Sequence, residues 1–370
     1  MNVRQIFILS LILCHGLVHL IGFANAFGFQ PGALLQKRIS ALAGLGWLSV
    51  ALLFLVIAVL FLFHKSNWAP AALIAALVSQ ILIISAWKDA RVGTIANAMI
   101  FILALVEMSN AHFNAMVSHE SNKLLEGFER NNQDIIAEAD LQRLPTPVKK
   151  WLIRTGMVGK ETTHFVRLKQ EGRMRTAPDR SWMPFRAVQY FNADSPSFVW
   201  RAPVDMLPGI KLQGVDKFSG GKGAMKIKLW SLVDLVNAQN DRKVDTATLT
   251  RYLAEITWFP TAALSRYLNW EAIDSQTANV TMQYRGLSST AKFAFDKEGD
   301  LRRIEAERYK DSGKKATLQK WIVEITGYQT FNGFRIASNT SVTWRTKEGD
   351  FTWAEMKLTD LQYNIYELYK

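Results

Sequence analysis

Residues 1–119 of this 370-residue chain carry only eight charged side chains: Arg4, Lys37, Arg38, Lys65, Lys88 and Arg91 against Asp89 and Glu107. Of the chain's 44 Lys and Arg and 32 Asp and Glu, 38 and 30 therefore fall after residue 119. Eight charges cannot give 119 residues a water-facing surface, so the first third requires an apolar solvent. The remainder has the charge of an ordinary soluble domain. A single soluble domain is excluded, and so is a pure polytopic transporter. Twelve Trp and 21 Phe exclude intrinsic disorder. The one Cys, Cys14, excludes a disulfide framework and any Cys-based zinc or iron–sulfur site.

Four apolar runs, residues 6–27, 41–63, 69–87 and 94–111, have about the 20-residue length a bilayer requires. Their joints are short, which makes neighbours antiparallel and predicts a four-helix transmembrane domain over residues 1–115. Joints one and three carry Lys37, Arg38, Lys88 and Arg91; the opposite side carries only Arg4 and Lys65. The positive-inside rule then puts both those joints in the cytoplasm, and the N-terminus and the C-terminal domain in the periplasm of a bacterium. A cleavable signal peptide ending at Ala24-Asn25-Ala26 is the competing reading. Cleavage would turn the domain to the other side with four positive charges facing out, so retention fits better.

Within the spans, His15 and His19 are four apart and share a helix face. Glu107, Asn110 and Asn114 share a face of the fourth. Intramembrane ionisable groups are functional candidates; polar packing between helices is the simpler account. A haem held by His15 and His112 would need matched depths, and theirs differ by more than a turn.

Residues 116–144 read as an amphipathic helical stalk, with Val117, Leu124, Leu125, Phe128, Ile135, Ile136 and Leu141 as its apolar stripe. Leu144-Pro145-Thr146-Pro147 stops it and caps a short helix over 148–155. Residues 145–370 form the periplasmic domain. There the period changes to two: Val166, Leu168, Gln170 and Met174 alternate with Arg167, Lys169, Glu171 and Arg173. About eleven such strands with short turns predict an antiparallel sheet with one solvated face. A helical insert occupies 230–270, with helices over 230–238 and around Leu249, Tyr252, Leu253 and Ile256, a break at Trp258-Phe259-Pro260-Thr261, and a third helix over 262–268. Such an insert either plugs the concave side as core or roofs a cavity as a lid.

No catalytic constellation emerges. His164 is the only His beyond residue 119, and neither a G-x-S-x-G elbow nor a phosphate loop is present. Gly220-Gly-Lys-Gly223 reads as a hairpin turn. Arg251 and Glu255, four apart, read as a surface helix pair. Glu305 and Glu307, flanked by Arg302, Arg303 and Arg308, read as a solvated charged face. No metal site or cofactor is implied. The modest basic excess suits anionic lipid head groups, and a periplasmic domain meets no nucleic acid.

Several stretches are similar to an uncharacterised family of bacterial membrane-anchored proteins: Val166-Arg-Leu-Lys-Gln-Glu-Gly172, Trp182-Met-Pro-Phe185, Pro196-Ser-Phe-Val-Trp200, Arg251-Tyr-Leu-Ala-Glu255 and Trp258-Phe-Pro-Thr261, with Asp89-Ala-Arg-Val-Gly-Thr-Ile-Ala-Asn97 in the membrane part. That family brings no established activity. The order of strands, helical insert, the hairpin at Phe293-Ala-Phe-Asp-Lys-Glu-Gly299 and the last strands also resembles LolA/LolB-like lipoprotein carriers. This chain departs from them in its four spans and in lacking a lipidated Cys. The resemblance implies an α+β chain: a four-helix transmembrane bundle followed by an antiparallel β half-barrel with a helical lid or plug. The expected role is a membrane-tethered periplasmic module, in the inner membrane, for a lipid, acyl chain or other amphiphile. Trp200, Leu249, Leu253, Trp258, Phe259 and Trp270 are the expected cavity or lid residues. Two alternatives stay open: a structural or sensory envelope protein with a filled core, and a membrane enzyme using His15, His19 and Glu107.

Overall fold

The computed structural model describes residues 1, 3–29, 39–126, 134–207 and 209–369. They form two compact units, Met1–Phe113 and Asn114–Lys370.

In the first unit, α1 (Val3–Phe27), α2 (Ala41–Leu62), α3 (Trp68–Ser85) and α5 (Gly93–Lys123) are each long and apolar enough to cross a membrane. The short α4 (Trp87–Ala90) joins the last two. Ser40 caps α2, its hydroxyl accepting from Ala43 N at 3.2 Å. Glycines let α1 approach α2: a Cβ at Gly16 would lie 2.8 Å from Phe54 Cβ, and one at Gly22 2.6 Å from Trp47 Cγ. Small residues at such crossings are the usual basis of helix packing in lipid. Lys37 and Arg38, half of the charge used above for orientation, lie outside the described residues.

The fourth span and the expected stalk are not arranged as the apolar stripe suggested. Helix α5 runs unbroken to Lys123, and residues 134–137 are not helical. Their backbone is tied elsewhere: Ile136 N donates to Lys160 O at 2.9 Å, and Thr162 N to Asp134 O at 2.8 Å. Asp140 accepts from Ala137 N at 2.8 Å and holds only a single 3₁₀ turn, Glu138–Leu141. These partners offer the backbone an alternative to a helix. Phe128 lies outside the described residues. Helix α6 (Thr146–Thr155) starts with Pro147 in its first turn and ends at Gly156, whose φ of 76° supplies the left-handed cap.

The second unit holds one antiparallel sheet of thirteen described strands: β1 (Phe165–Met174), β2 (Met183–Asn192), β3 (Ser197–Leu207), β4 (Ile210–Ser219), β5 (Lys222–Leu229), β6 (Val233–Gln239), β7 (Leu268–Ala272), β8 (Thr277–Tyr284), β9 (Leu287–Phe295), β10 (Leu301–Lys310), β11 (Thr317–Phe331), β12 (Phe334–Thr346) and β13 (Gly349–Tyr363). The order is β6-β5-β4-β3-β2-β1-β13-β12-β11-β10-β9-β8-β7, hairpins throughout except where β13 pairs with β1. Helix α7 (Arg242–Glu255) lies in the concave side. It touches β4 and β5 near one edge and β9 and β10 near the other, so the sheet is curled into a half-barrel. Asp241 caps α7 through Lys243 N at 2.9 Å.

Two of the thirteen strands replace expected helices. Residues 230–238 are a turn and β6, not a helix. Trp230 and Ser231 take φ of 50° and 60° and reverse the chain, so that β6 pairs with β5. Non-glycine residues in that conformation give no turn signal in sequence. Residues 262–268 are a 3₁₀ turn, Pro260–Leu264, leading into β7, whose five residues are too few to show a period. The insert is therefore α7 with two 3₁₀ turns.

Candidate functional site

The strand registers define what faces the concavity. On β2–β5 the inward positions run in rows: Phe191, Phe198, Phe218 and Gly223; then Gln189, Trp200, Asp216 and Met225; then Ala187, Ala202, Gly214 and Ile227; then Phe185, Val204, Leu212 and Leu229. Burial grades along these rows. At the α7 end, Phe191, Phe198 and Phe218 are wholly buried, packed with Leu249, Leu253 and Phe259. At the other end Met174, Met183, Leu212 and Met356 are only half-buried, over a floor of Phe185, Ala187, Ala202 and Val204. Rim residues Met206 and Leu207 are exposed. Among the described residues the half-barrel is thus plugged at one end and apolar but only half-covered at the other.

Between plug and open end runs a belt of polar groups. Arg251 is largely buried and donates through Nη1 to Asp216 Oδ2 at 2.6 Å and through Nε to Glu255 Oε1 at 2.7 Å. Its guanidinium lies over Phe198 and Trp200, at 5.0 and 4.9 Å from the ring centroids. Gln189 Nε2 donates to Glu255 Oε2 at 2.7 Å, and Trp200 Nε1 to Gln170 Oε1 at 3.0 Å. Asp216 Oδ1 and Gln189 Oε1 are buried with no donor among the described residues. Burial holds the Glu255 carboxyl above its usual range despite Arg251. From the opposite wall Arg308 Nε donates to Ala247 O on α7 at 2.9 Å, its guanidinium over the neighbouring rings of Trp321 and Trp344. Ala247, Arg251 and Glu255 are four apart, so one face of α7 carries the belt.

Two readings from sequence are corrected here. Arg251 and Glu255 are not a surface pair, because their helix is buried against the sheet. Arg308 does not belong to the solvated face of Glu305 and Glu307: it alternates with them and shares the inward side with Ile304 and Ala306. Leu249, Leu253, Trp258 and Phe259 sit together in the plug. Trp258 O accepts from Tyr363 Oη at 2.6 Å. Trp270 is half-buried beside Trp151 and Phe293, its Nε1 donating to Ala263 O at 3.0 Å. Trp200 alone of the six stands beside the open end.

In the first unit His15 and His19 are buried and joined through one network. His15 Nε2 lies 2.7 Å from Asn97 Oδ1, and His19 Nε2 lies 2.8 Å from Ser79 Oγ. Asn97 Nδ2 donates to Gln80 Oε1 at 3.0 Å, and Gln80 Nε2 to Thr94 Oγ1 at 3.1 Å. Glu107 is not part of it; it pairs with Arg4 at 3.7 Å and is partly exposed. The network ties α1, α3 and α5 together, which is what polar side chains in a bundle do.

Residues 134–356 match the model of DUF6544, a family of unknown function. The chain belongs to that family. No curated protein matches it. Among solved structures, it is similar to a domain from Vibrio parahaemolyticus described as an outer membrane lipoprotein-sorting protein domain, with 11% identity and a TM-score of 0.35 over 56% of this chain and 87% of that one. It is also similar to a LolA superfamily protein from Nitrosomonas europaea, with 10% identity and a TM-score of 0.33 over 67% and 94%. At that level neither likeness bears on what this chain binds.

Proposed function

We propose that this DUF6544 chain is a membrane-anchored module that holds the apolar chain of a lipid or other amphiphile in the open end of its half-barrel. The observation that carries the reading is the inward face of β1–β4 and β13. It is apolar beyond the polar belt, and Met174, Met183, Leu212 and Met356 there are only half-buried by the described residues. Contiguous apolar surface facing water is retained where something binds it. Methionines suit a chain of undefined shape, because their unbranched side chains repack at little cost. Each buried CH₂ contributes about 0.8 kcal/mol, so binding needs no further chemistry. In this reading Trp200 lines the site. Leu249, Leu253, Trp258, Phe259 and Trp270 form the plug that sets its depth. The inner membrane of a bacterium, with the domain in the periplasm, is the location that fits the charge asymmetry of the joints.

The test is a photoactivatable sixteen-carbon probe added to the purified full chain, with the labelled peptides mapped. Labelling of the Met174–Met183 and Val204–Leu212 stretches is expected. Labelling confined to the helices of the first unit would reject the site.

A further inference from the structure

Arg308 has no ion pair among the described residues, although it stands on the inward face of the half-barrel. Its Nε is satisfied by Ala247 O, whereas its two Nη groups have no hydrogen bond among those residues. The side chain is only partly exposed. The carboxylates that face it, Asp216 and Glu255, are both engaged by Arg251. Burial lowers the guanidinium to about 10, so it is partly desolvated and still charged at neutral pH. The rings of Trp321 and Trp344, at 5.0 and 5.6 Å, attract the cation without offering it an anion. A cation half out of water and without an ion pair of its own is costly to keep. A planar fork with open donors fits a pair of anionic oxygens bidentately. Arg251, one turn beyond Ala247 on the same face of α7, already donates to Glu255 and Asp216.

We propose that Arg308 binds the anionic head, a carboxylate or a phosphate monoester, of a single-chain amphiphile inserted head-first into the open end. The chain then lies along the apolar inward face and emerges past Met183 and Met206. This assignment rests on the chain-binding reading above and adds the class of head group.

The test uses the full chain in detergent, with equal amounts of hexadecanoic acid and hexadecanol, and counts bound molecules by native mass spectrometry. The acid should exceed the alcohol by about tenfold, the gain of one charge-assisted contact worth ~1.4 kcal/mol. Arg308→Gln keeps a donor for Ala247 O. It should bring the ratio near one while the alcohol still binds. Arg308→Lys should keep part of the preference, which guards against misreading a folding defect in the first variant. Replacing the acid by hexadecyl phosphate decides between the two heads: the one more strongly preferred over hexadecanol is the natural class. Equal binding of acid and alcohol to the parent, or a preference that survives Arg308→Gln, overturns the assignment and leaves chain binding intact. Binding of neither ligand removes chain binding itself, and this assignment with it.

Discussion

Arg251→Met is the substitution that most sharply tests the packing of α7. The Arg251 side chain is 15% exposed, and those of Asp216 and Glu255 are 8% and 10%. This is a buried triad, so the small values measured for surface ion pairs do not apply. Met keeps most of the contact with Phe198 and Trp200 but leaves two carboxylates without their cation. Removing one partner of a buried pair costs about 3–5 kcal/mol, a large share of the ~5–15 kcal/mol of a typical fold. With a urea dependence of roughly 3 kcal/mol/M for a domain of this size, the midpoint should fall by about 1–2 M. The assay is tryptophan fluorescence against urea on residues 114–370, the second unit. The sign with pH follows from Glu255, whose carboxyl burial already holds above its unfolded value. Without Arg251 it rises further. The deficit is then full above the folded pKa and shrinks as pH falls towards the unfolded value of about 4.3. A triple variant, Arg251→Met with Asp216→Asn and Glu255→Gln, should recover most of the loss, because no charge is left buried. A single variant within about 1 kcal/mol of the parent at neutral pH would show that α7 is not docked as described.

Three further outcomes are expected. Gly223→Ala should cost about 1–3 kcal/mol in the same urea assay, since its Cβ would run into Thr248 Oγ1 and lie 2.8 Å from Val244 O; an unchanged midpoint would mean α7 does not press on β5 there. Asp300 is held below the usual carboxylate range by Arg335, at 2.7 and 3.0 Å, and by Arg154 at 3.3 Å. Its contribution is therefore present above the unfolded pKa of about 3.9 and lost as pH falls through the depressed folded value, so Asp300→Asn should flatten the acid limb of a stability–pH curve. In the bundle, Asn97→Leu leaves His15 Nε2 with only Ser79 at 3.3 Å, and should lower the thermal midpoint of the full chain in detergent by the equivalent of about 1–2 kcal/mol.

The architecture was legible where a single period governed a long stretch. The first three spans start and stop within a few residues of the apolar runs, because hydropathy largely sets them, whereas the fourth helix runs on to Lys123, well past its apolar run. The long strands were readable for the same reason: each has one buried face. Strands β6 and β7 were not readable. One is an edge strand entered through a left-handed turn at Trp230 and Ser231, and the other has only five residues. The stalk helix failed because Lys160 and Thr162, distant in sequence, hold the backbone of residues 134–136. The site was half legible. Ile304, Ala306 and Arg308 alternate with Arg303, Glu305 and Glu307, which is enough to place Arg308 on the apolar side; the density of neighbouring charge hid it. Arg251 and Glu255 have the spacing of a surface pair, and only the sheet curling over α7 makes them interior. Their partners Asp216 and Gln189 come from strands that no local pattern links to that helix.

The central claim is that the open end of the half-barrel holds an amphiphile. The most direct measurement is organic extraction and mass spectrometry of the full chain purified from the membrane in which it is made, with Met356→Asp in parallel. About one amphiphile per chain is expected for the parent, and its loss for a folded variant with a charge set among the half-buried methionines. A parent that carries no amphiphile while its domain unfolds cooperatively would contradict the account and leave a filled, purely structural half-barrel in its place.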